Sequence, residues 1–200
     1  MKSFVLSGVA AFALSMTAAF AAPTIGEPAP AFSAIDTAGK TRSLAEFKGK
    51  TVVLEWTNDG CPYVKKHYGS GNMQATQAAA AAKGAVWLTI VSSAPGKQGA
   101  VTGAEANALT ADRKAKPAAV ILDPAGAIGK AYEAKTTPHM FVIDGKGILR
   151  YQGAIDDKPT SSPESLKGAK NYVLAALSDM AAGKPVAVAE SEPYGCSIKY

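Results

Sequence analysis

Residues 51–64, Thr51-Val52-Val53-Leu54-Glu55-Trp56-Thr57-Asn58-Asp59-Gly60-Cys61-Pro62-Tyr63-Val64, hold the start of an architecture in one short stretch. Val52 to Trp56 is apolar or aromatic except at Glu55, the pattern of a strand buried on both faces. Thr57 to Gly60 is polar and short, so the chain turns there. Proline is favoured at the first position of a helix, where its missing N–H is not needed, so Cys61-Pro62 predicts a helix through Val64 to Tyr68 with Cys61 as its cap.

Upstream, the proline-rich lead Pro23 to Pro30 precedes a weakly alternating Ala31 to Ile35 and the turn chemistry of Asp36-Thr37-Ala38-Gly39-Lys40, which predicts a hairpin. Ser43-Leu44-Ala45-Glu46 fits a capping box opening one helical turn that ends near Gly49. Downstream, Gly69-Ser70-Gly71 breaks the first helix, and Asn72 is placed to cap an alanine-rich second one ending at Gly84. Strands are then predicted over 85–91 and 118–122, with a helix over 104–116 between them and a short helix over 127–132 after them. Met140 to Ile143 and Ile148 to Gln152 flank Asp144-Gly145-Lys146-Gly147, a hairpin signature, and a last helix is expected over 169–182. Alternating strands and helices require crossovers and a parallel core, so the class is α/β, with the late hairpin adding antiparallel edge strands. Ligands of such sheets bind beyond the carboxyl ends of the central strands, where the Thr57–Cys61 loop must lie.

Lys2, the apolar run Phe4 to Phe20 and the small-residue site Ala19-Phe20-Ala21 before Ala22-Pro23 have the anatomy of a cleavable secretory signal over residues 1–21. Serines and a threonine interrupt the apolar run, which weighs against a retained anchor. The remainder divides into one domain over 22–185 and a tail over 186–200, destined for the periplasm or secretion without membrane attachment. The formal charge of +5 is scattered singly and in pairs such as Lys65-Lys66, which argues against a nucleic-acid partner. The cysteines are Cys61 and Cys196, and an oxidising compartment permits them a single pairing.

Gly26-Glu27-Pro28-Ala29-Pro30-Ala31-Phe32, the Asp36–Leu44 segment, Val52 to Trp56, Gly60-Cys61-Pro62, Thr137-Pro138 and Phe141-Val142-Ile143-Asp144-Gly145, taken in order over residues 24 to 185, resemble the redoxin family. That family joins peroxiredoxins of the alkyl hydroperoxide reductase and thiol-specific antioxidant type with exported thioredoxin-like proteins. The resemblance implies a thioredoxin fold: a central mixed sheet flanked by helices, here with an N-terminal hairpin extension. It also implies that Cys61 is the reactive helix-start cysteine and Pro138 a cis-proline facing it. The chain departs from the family at Val64, where thioredoxins carry a second cysteine, and at Asn58 and Leu54, where peroxiredoxins carry a threonine or serine and a proline.

A thiol reacts as its thiolate, and the free amides and dipole of a helix N-terminus favour that anion. Lys65 would assist Cys61 and Asp59 would oppose it, and the loop-to-helix junction predicts a solvent-reachable sulfur. Cys196 lies in the aromatic tip Tyr194-Gly195-Cys196-Ser197-Ile198-Lys199-Tyr200, whose composition is that of a docking segment. It is the one residue able to resolve a mixed disulfide or sulfenic acid at Cys61; a reversible pair, a permanent bridge and no bond all remain open.

Glu55, six residues before Cys61, would act as a proton acceptor and donor if buried beneath the thiol, or would pair with a lysine if it lay at a strand end. Trp56, Asn58, Pro62, Thr137 and Pro138 are candidate substrate contacts, with the Thr137 backbone offered to the substrate. His67 and His139 read as structural histidines, or as partners of a thiolate toward a soft metal. The expected function is an exported thiol oxidoreductase working on protein thiols and disulfides or on peroxide. It needs no cofactor, and its electron donor is unspecified. Two rivals differ in class: a copper-delivery protein resembling the Sco type, and a redox-inactive binding module.

Overall fold

The computed structural model describes residues 22–200, so the predicted leader over 1–21 lies outside the described residues. A hairpin of β1 (Ser33–Ile35) and β2 (Thr41–Ser43) comes first. Asp36 shapes its turn, its Oδ1 accepting from the Ala38 and Lys40 amides at 2.8 and 2.9 Å. The predicted capping box after it does not form: a 3-10 turn occupies Leu44–Phe47 without a side-chain cap, because Glu46 pairs with Arg42 instead.

β3 (Val52–Trp56) is buried along its whole length. It pairs in parallel with β4 (Val86–Val91), which pairs in parallel with β5 (Ala119–Leu122). On its other side β3 runs antiparallel to β7 (His139–Ile143), and β8 (Leu149–Gly153) closes the sheet. The spatial order β5-β4-β3-β7-β8 corrects the expectation of two edge strands from the late hairpin: β7 is interior, because all five of its residues are apolar or buried and need cover on both sides.

One sheet face carries Val53, Trp87, Met140, Val142 and Tyr151, packed with Val64 of α1 (Pro62–Gly69), Met73 and Ala80 of α2 (Asn72–Ala82), and Val173 and Leu177 of α5 (Tyr172–Ala181). The other face carries Val52, Leu54, Trp56, Leu88, Ile90 and Phe141 under the N-terminal lead and α4 (Ala127–Ala131). α3 (Gly103–Asp112) lies beside β5 and has a capping box of Thr102 and Glu105. Asn72 is the first residue of α2 and not its cap; Gly71, at φ 78°, takes that place, freeing the Asn72 amide to reach Nδ1 of His67 at 2.8 Å. The last helix starts three residues later than expected because the Asn171 carbonyl oxygen caps it, accepting from the Leu174 amide at 2.9 Å. Two short strands were not anticipated: β6 (Thr136–Thr137) and, in the tail, β9 (Cys196–Ser197), which pair antiparallel. No helix among the described residues is long and apolar enough to cross a membrane.

Candidate active site

Cys61 caps α1 at the carboxyl end of β3, with Pro62 at the first helical position as the sequence predicts. Its thiol donates to the Thr137 carbonyl at 3.0 Å. Thr137 precedes Pro138 through a cis peptide bond, so the loop before β7 faces the start of α1. Both cysteines are free thiols. Burial pushes the Cys61 thiol up, but the Cys196 side chain, the Val64 and Cys196 amides and the Thr137 hydroxyl together outweigh it and hold the thiol below its ordinary value. Burial, and then the bond and charge of Cys61, push Cys196 up to about 11. The first proton to leave this pair therefore leaves Cys61.

The expected solvent-reachable sulfur is not found, since Cys61 is 0% exposed. Tyr194 and Cys196 of the tail pack against the apolar cluster that holds it. Ser191 donates its amide to the Gln152 carbonyl at 3.1 Å, and its hydroxyl accepts from the Ala154 amide at 3.0 Å, fixing the chain along β8. Gly195 then crosses against the Thr137 carbonyl, and β9 pairs with β6 so that Cys196 stands opposite Thr137. Beyond it the Ile198 amide donates to the Lys135 carbonyl at 3.1 Å, and the Tyr200 hydroxyl to the Ala134 carbonyl at 2.8 Å. The aromatic tip docks, as its composition predicts.

Tyr194 anchors this strap in a buried polar cluster that sequence reasoning missed. Its hydroxyl donates to Asp156 and lies 3.2 Å from Nε2 of His67. Lys66, whose side chain is fully buried, donates to the Lys158 carbonyl at 2.8 Å, stands 3.9 Å from Asp156 and lies 5.3 Å from the centre of the Tyr194 ring. Burial lowers the Lys66 ammonium against the raising effect of Asp156 and Asp157. Burial likewise takes His67 down to about 4, opposed by Asp156 and helped by Lys66. The docking character of the tip was legible, but its contacts at Lys66, His67 and Asp156 were not, since they are far apart along the chain.

Glu55 is buried, as one reading required, and has no lysine partner among the described residues. Tyr68 donates to both its oxygens at 2.8 and 3.0 Å, Trp87 Nε1 at 2.8 Å and the Thr89 hydroxyl at 3.2 Å. Burial raises its pKa more than those bonds and the Arg113 charge lower it. The carboxyl shares the sheet face of Cys61, and among the described residues no hydrogen bond joins the two. A cavity of about 30 Å³, room for a water or so, is lined by its partners Tyr68 and Thr89 and by Thr57, whose buried hydroxyl has no partner among the described residues.

The structure brings together Cys61, Pro62, Thr137, Pro138 and Cys196. It does not bring Trp56 to the thiol: that indole is fully buried on the opposite sheet face, donating to the Ser92 hydroxyl at 3.0 Å and packing on Tyr132 and Phe141. Asn58 holds the turn, accepting from the Gly60 amide at 2.8 Å and donating to the Gln98 carbonyl at 3.1 Å. Asp59 pairs with Arg113, and Lys65 is exposed. His139 accepts the Lys135 amide at 3.1 Å and lies 4.5 Å from the Phe141 ring, and burial takes it down to about 3. Among the described residues no three histidine, cysteine or acidic side chains are grouped to hold a metal.

The sequence matches the redoxin family over residues 24–171. No curated protein matches it. Among solved structures it is similar to an uncharacterized conserved protein of Geobacillus kaustophilus, at 23% identity and TM-score 0.74 over 88% of this chain and 92% of that one. It is also similar to a hypothetical protein of Sinorhizobium meliloti, at 22% identity and TM-score 0.73 over 90% and 96%. A secreted Mycobacterium tuberculosis disulfide oxidoreductase homologous to E. coli DsbE shares 19% identity and TM-score 0.51 over 72% and 95%. These likenesses show an α/β thioredoxin-like fold with a central five-stranded mixed sheet.

Proposed function

The chain belongs to the redoxin family, and from that premise we propose that it is an exported thiol oxidoreductase in which Cys61 attacks and Cys196 resolves. One observation carries the reading: a helix-capping thiol, held below its ordinary pKa, lies against the one other cysteine. The Cys61 thiolate attacks one sulfur of a disulfide, a mixed disulfide forms, and the departing sulfur takes the electron pair. Cys196 then gives up its proton and attacks Cys61 Sγ, so the second sulfur leaves and a Cys61–Cys196 bond remains. With a peroxide, the same thiolate would attack the terminal oxygen, the O–O bond would break with the other oxygen leaving as an alcohol or water once protonated, and the resulting sulfenic acid would condense with the Cys196 thiol to a disulfide and water.

The reading also gives Glu55, whose burial raises its pKa, the part of a proton reservoir on the same sheet face. The disulfide route is the better supported, because Asn58 and Leu54 stand where the peroxide-reducing members have their partner residues and Asn58 is spent on the turn.

Single-turnover reduction of a small aromatic disulfide by the pre-reduced protein tests the assignment. Cys61→Ser should abolish it, while Cys196→Ser should stop at a mixed disulfide visible by mass spectrometry. Unchanged turnover in Cys61→Ser would overturn the assignment.

A further inference from the structure

β6 belongs to no other sheet; its partner is β9, supplied by the tail. Main-chain pairing of this kind accepts any extended segment, with side-chain pockets adding preference. The tail is an extended segment whose cysteine sits opposite Thr137, with its thiol against Cys61. Gly195 is shaped for the position: at φ 143° it brings its α-carbon so close that a Cβ would lie 2.1 Å from the Thr137 carbonyl oxygen. Beyond the Tyr194 anchor, however, the end of the strap is short and partly exposed. β9 is two residues long, Ser197 is exposed, Tyr200 is 41% exposed, and such short, half-exposed elements occupy the low end of local stability.

We propose that residues 189–200 are a self-supplied occupant of the edge on which a client docks, and that the client is an extended polypeptide with a glycine immediately before its disulfide-bonded cysteine. It pairs with β6 once β9 has left. This rests on the thiol-exchange reading above and names its substrate class and its gate. In the first step the tail is displaced, the Cys61 thiolate attacks the client sulfur lying opposite Thr137, and the client's other sulfur leaves as a thiolate. In the second step the tail returns, Cys196 attacks Cys61 Sγ, and the client's remaining sulfur departs with the electron pair. Re-docking of β9 thus brings the resolving thiol in and moves the client out.

The test uses the full chain with Cys196→Ser, so that Cys61 is the reacting thiol. Its alkylation by iodoacetamide, followed by mass spectrometry, should quicken about tenfold when Gly195→Ala forces the strap off Thr137, and similarly when Tyr194→Phe removes its anchoring hydroxyl. Unchanged alkylation in both variants would overturn the proposal. The second probe is a peptide of residues 191–200 with its cysteine joined to thionitrobenzoate. Release of thionitrobenzoate should be faster from this peptide than from the same peptide with alanine before the cysteine, and equal rates would also overturn the proposal. The two possible failures are distinct: brisk release with unaltered alkylation keeps the exchange chemistry and removes only the gate, whereas quickened alkylation with no release removes the exchange chemistry and the client with it.

Discussion

At Glu55, three donors from two elements make four hydrogen bonds to a carboxyl that has no accessible surface. Its raised pKa means the native state binds that proton more tightly than the unfolded chain does. The resulting stability is full below the unfolded value near 4.5 and is lost as pH rises through the folded value. Glu55→Gln removes the titration and keeps the size of the side chain. Urea unfolding at a series of pH values should therefore show wild type losing stability relative to the variant by up to about 1.4 kcal/mol per pH unit above pH 4.5. Parallel curves would mean that the carboxyl ionises without penalty. The position of Glu55 was legible, because a lone carboxylate in an apolar strand stands out. Its partners were not: Tyr68, Trp87 and Thr89 come from α1 and β4, and only the packed sheet brings them to one oxygen pair.

Among the elements, every α-helix and every strand of four residues or more was legible, since periodicity, Cys61-Pro62 and the glycine punctuation all act locally; the 3-10 turn Pro163–Leu166, too short for a period, was not. What failed was competition at the ends. Ser43 and Glu46 satisfy the capping-box spacing, but Arg42 offers Glu46 an ion pair. Asn72 is a good cap by type, but Gly71 accepts the left-handed conformation and His67 takes the amide. β6 and β9 are too short to have a period, so their pairing follows from the tail's docking and not from their own residues.

Asn171 works in both directions at an element end, its oxygen capping α5 and its amide donating to the Thr76 hydroxyl on α2 at 2.9 Å. Asn171→Ala should cost about 1–2 kcal/mol of unfolding free energy, read from urea unfolding. A loss well under 0.5 kcal/mol would show that water replaces both bonds.

For the molecule as a whole, two buried histidines oppose Glu55. His67 and His139 are held down to about 4 and about 3, so the unfolded chain binds their protons first. The stability they confer is present above about 6.5 and is lost as pH falls toward those folded values, up to about 1.4 kcal/mol per pH unit for each. Between pH 4.5 and 6.5 Glu55 partly cancels this, and below 4.5 the histidines act unopposed. His139→Asn, which can still accept the Lys135 amide, should flatten the acid limb of the unfolding profile; an unaltered limb would place acid sensitivity elsewhere.

The thiol pair acts at the same scale. A Cys61–Cys196 bond ties the start of α1 to the tail, so it restrains most of the unfolded chain, and in the chain-entropy model such a closure is worth about 4–5 kcal/mol. The native state need not move far to accept it, because Cys196 already stands against Cys61 with the strap in place. Oxidised protein should therefore unfold at higher urea than reduced protein by an amount approaching that figure, and Cys196→Ser should abolish the difference. The gain bears directly on function, because every kilocalorie by which the bond stabilises the fold makes that bond harder to reduce. A measured gain near zero would mean that the bonded form strains the strap, leaving a disulfide that passes readily to another thiol; a gain of several kilocalories would mark the oxidised protein as a resting state that needs a strong reductant to reset.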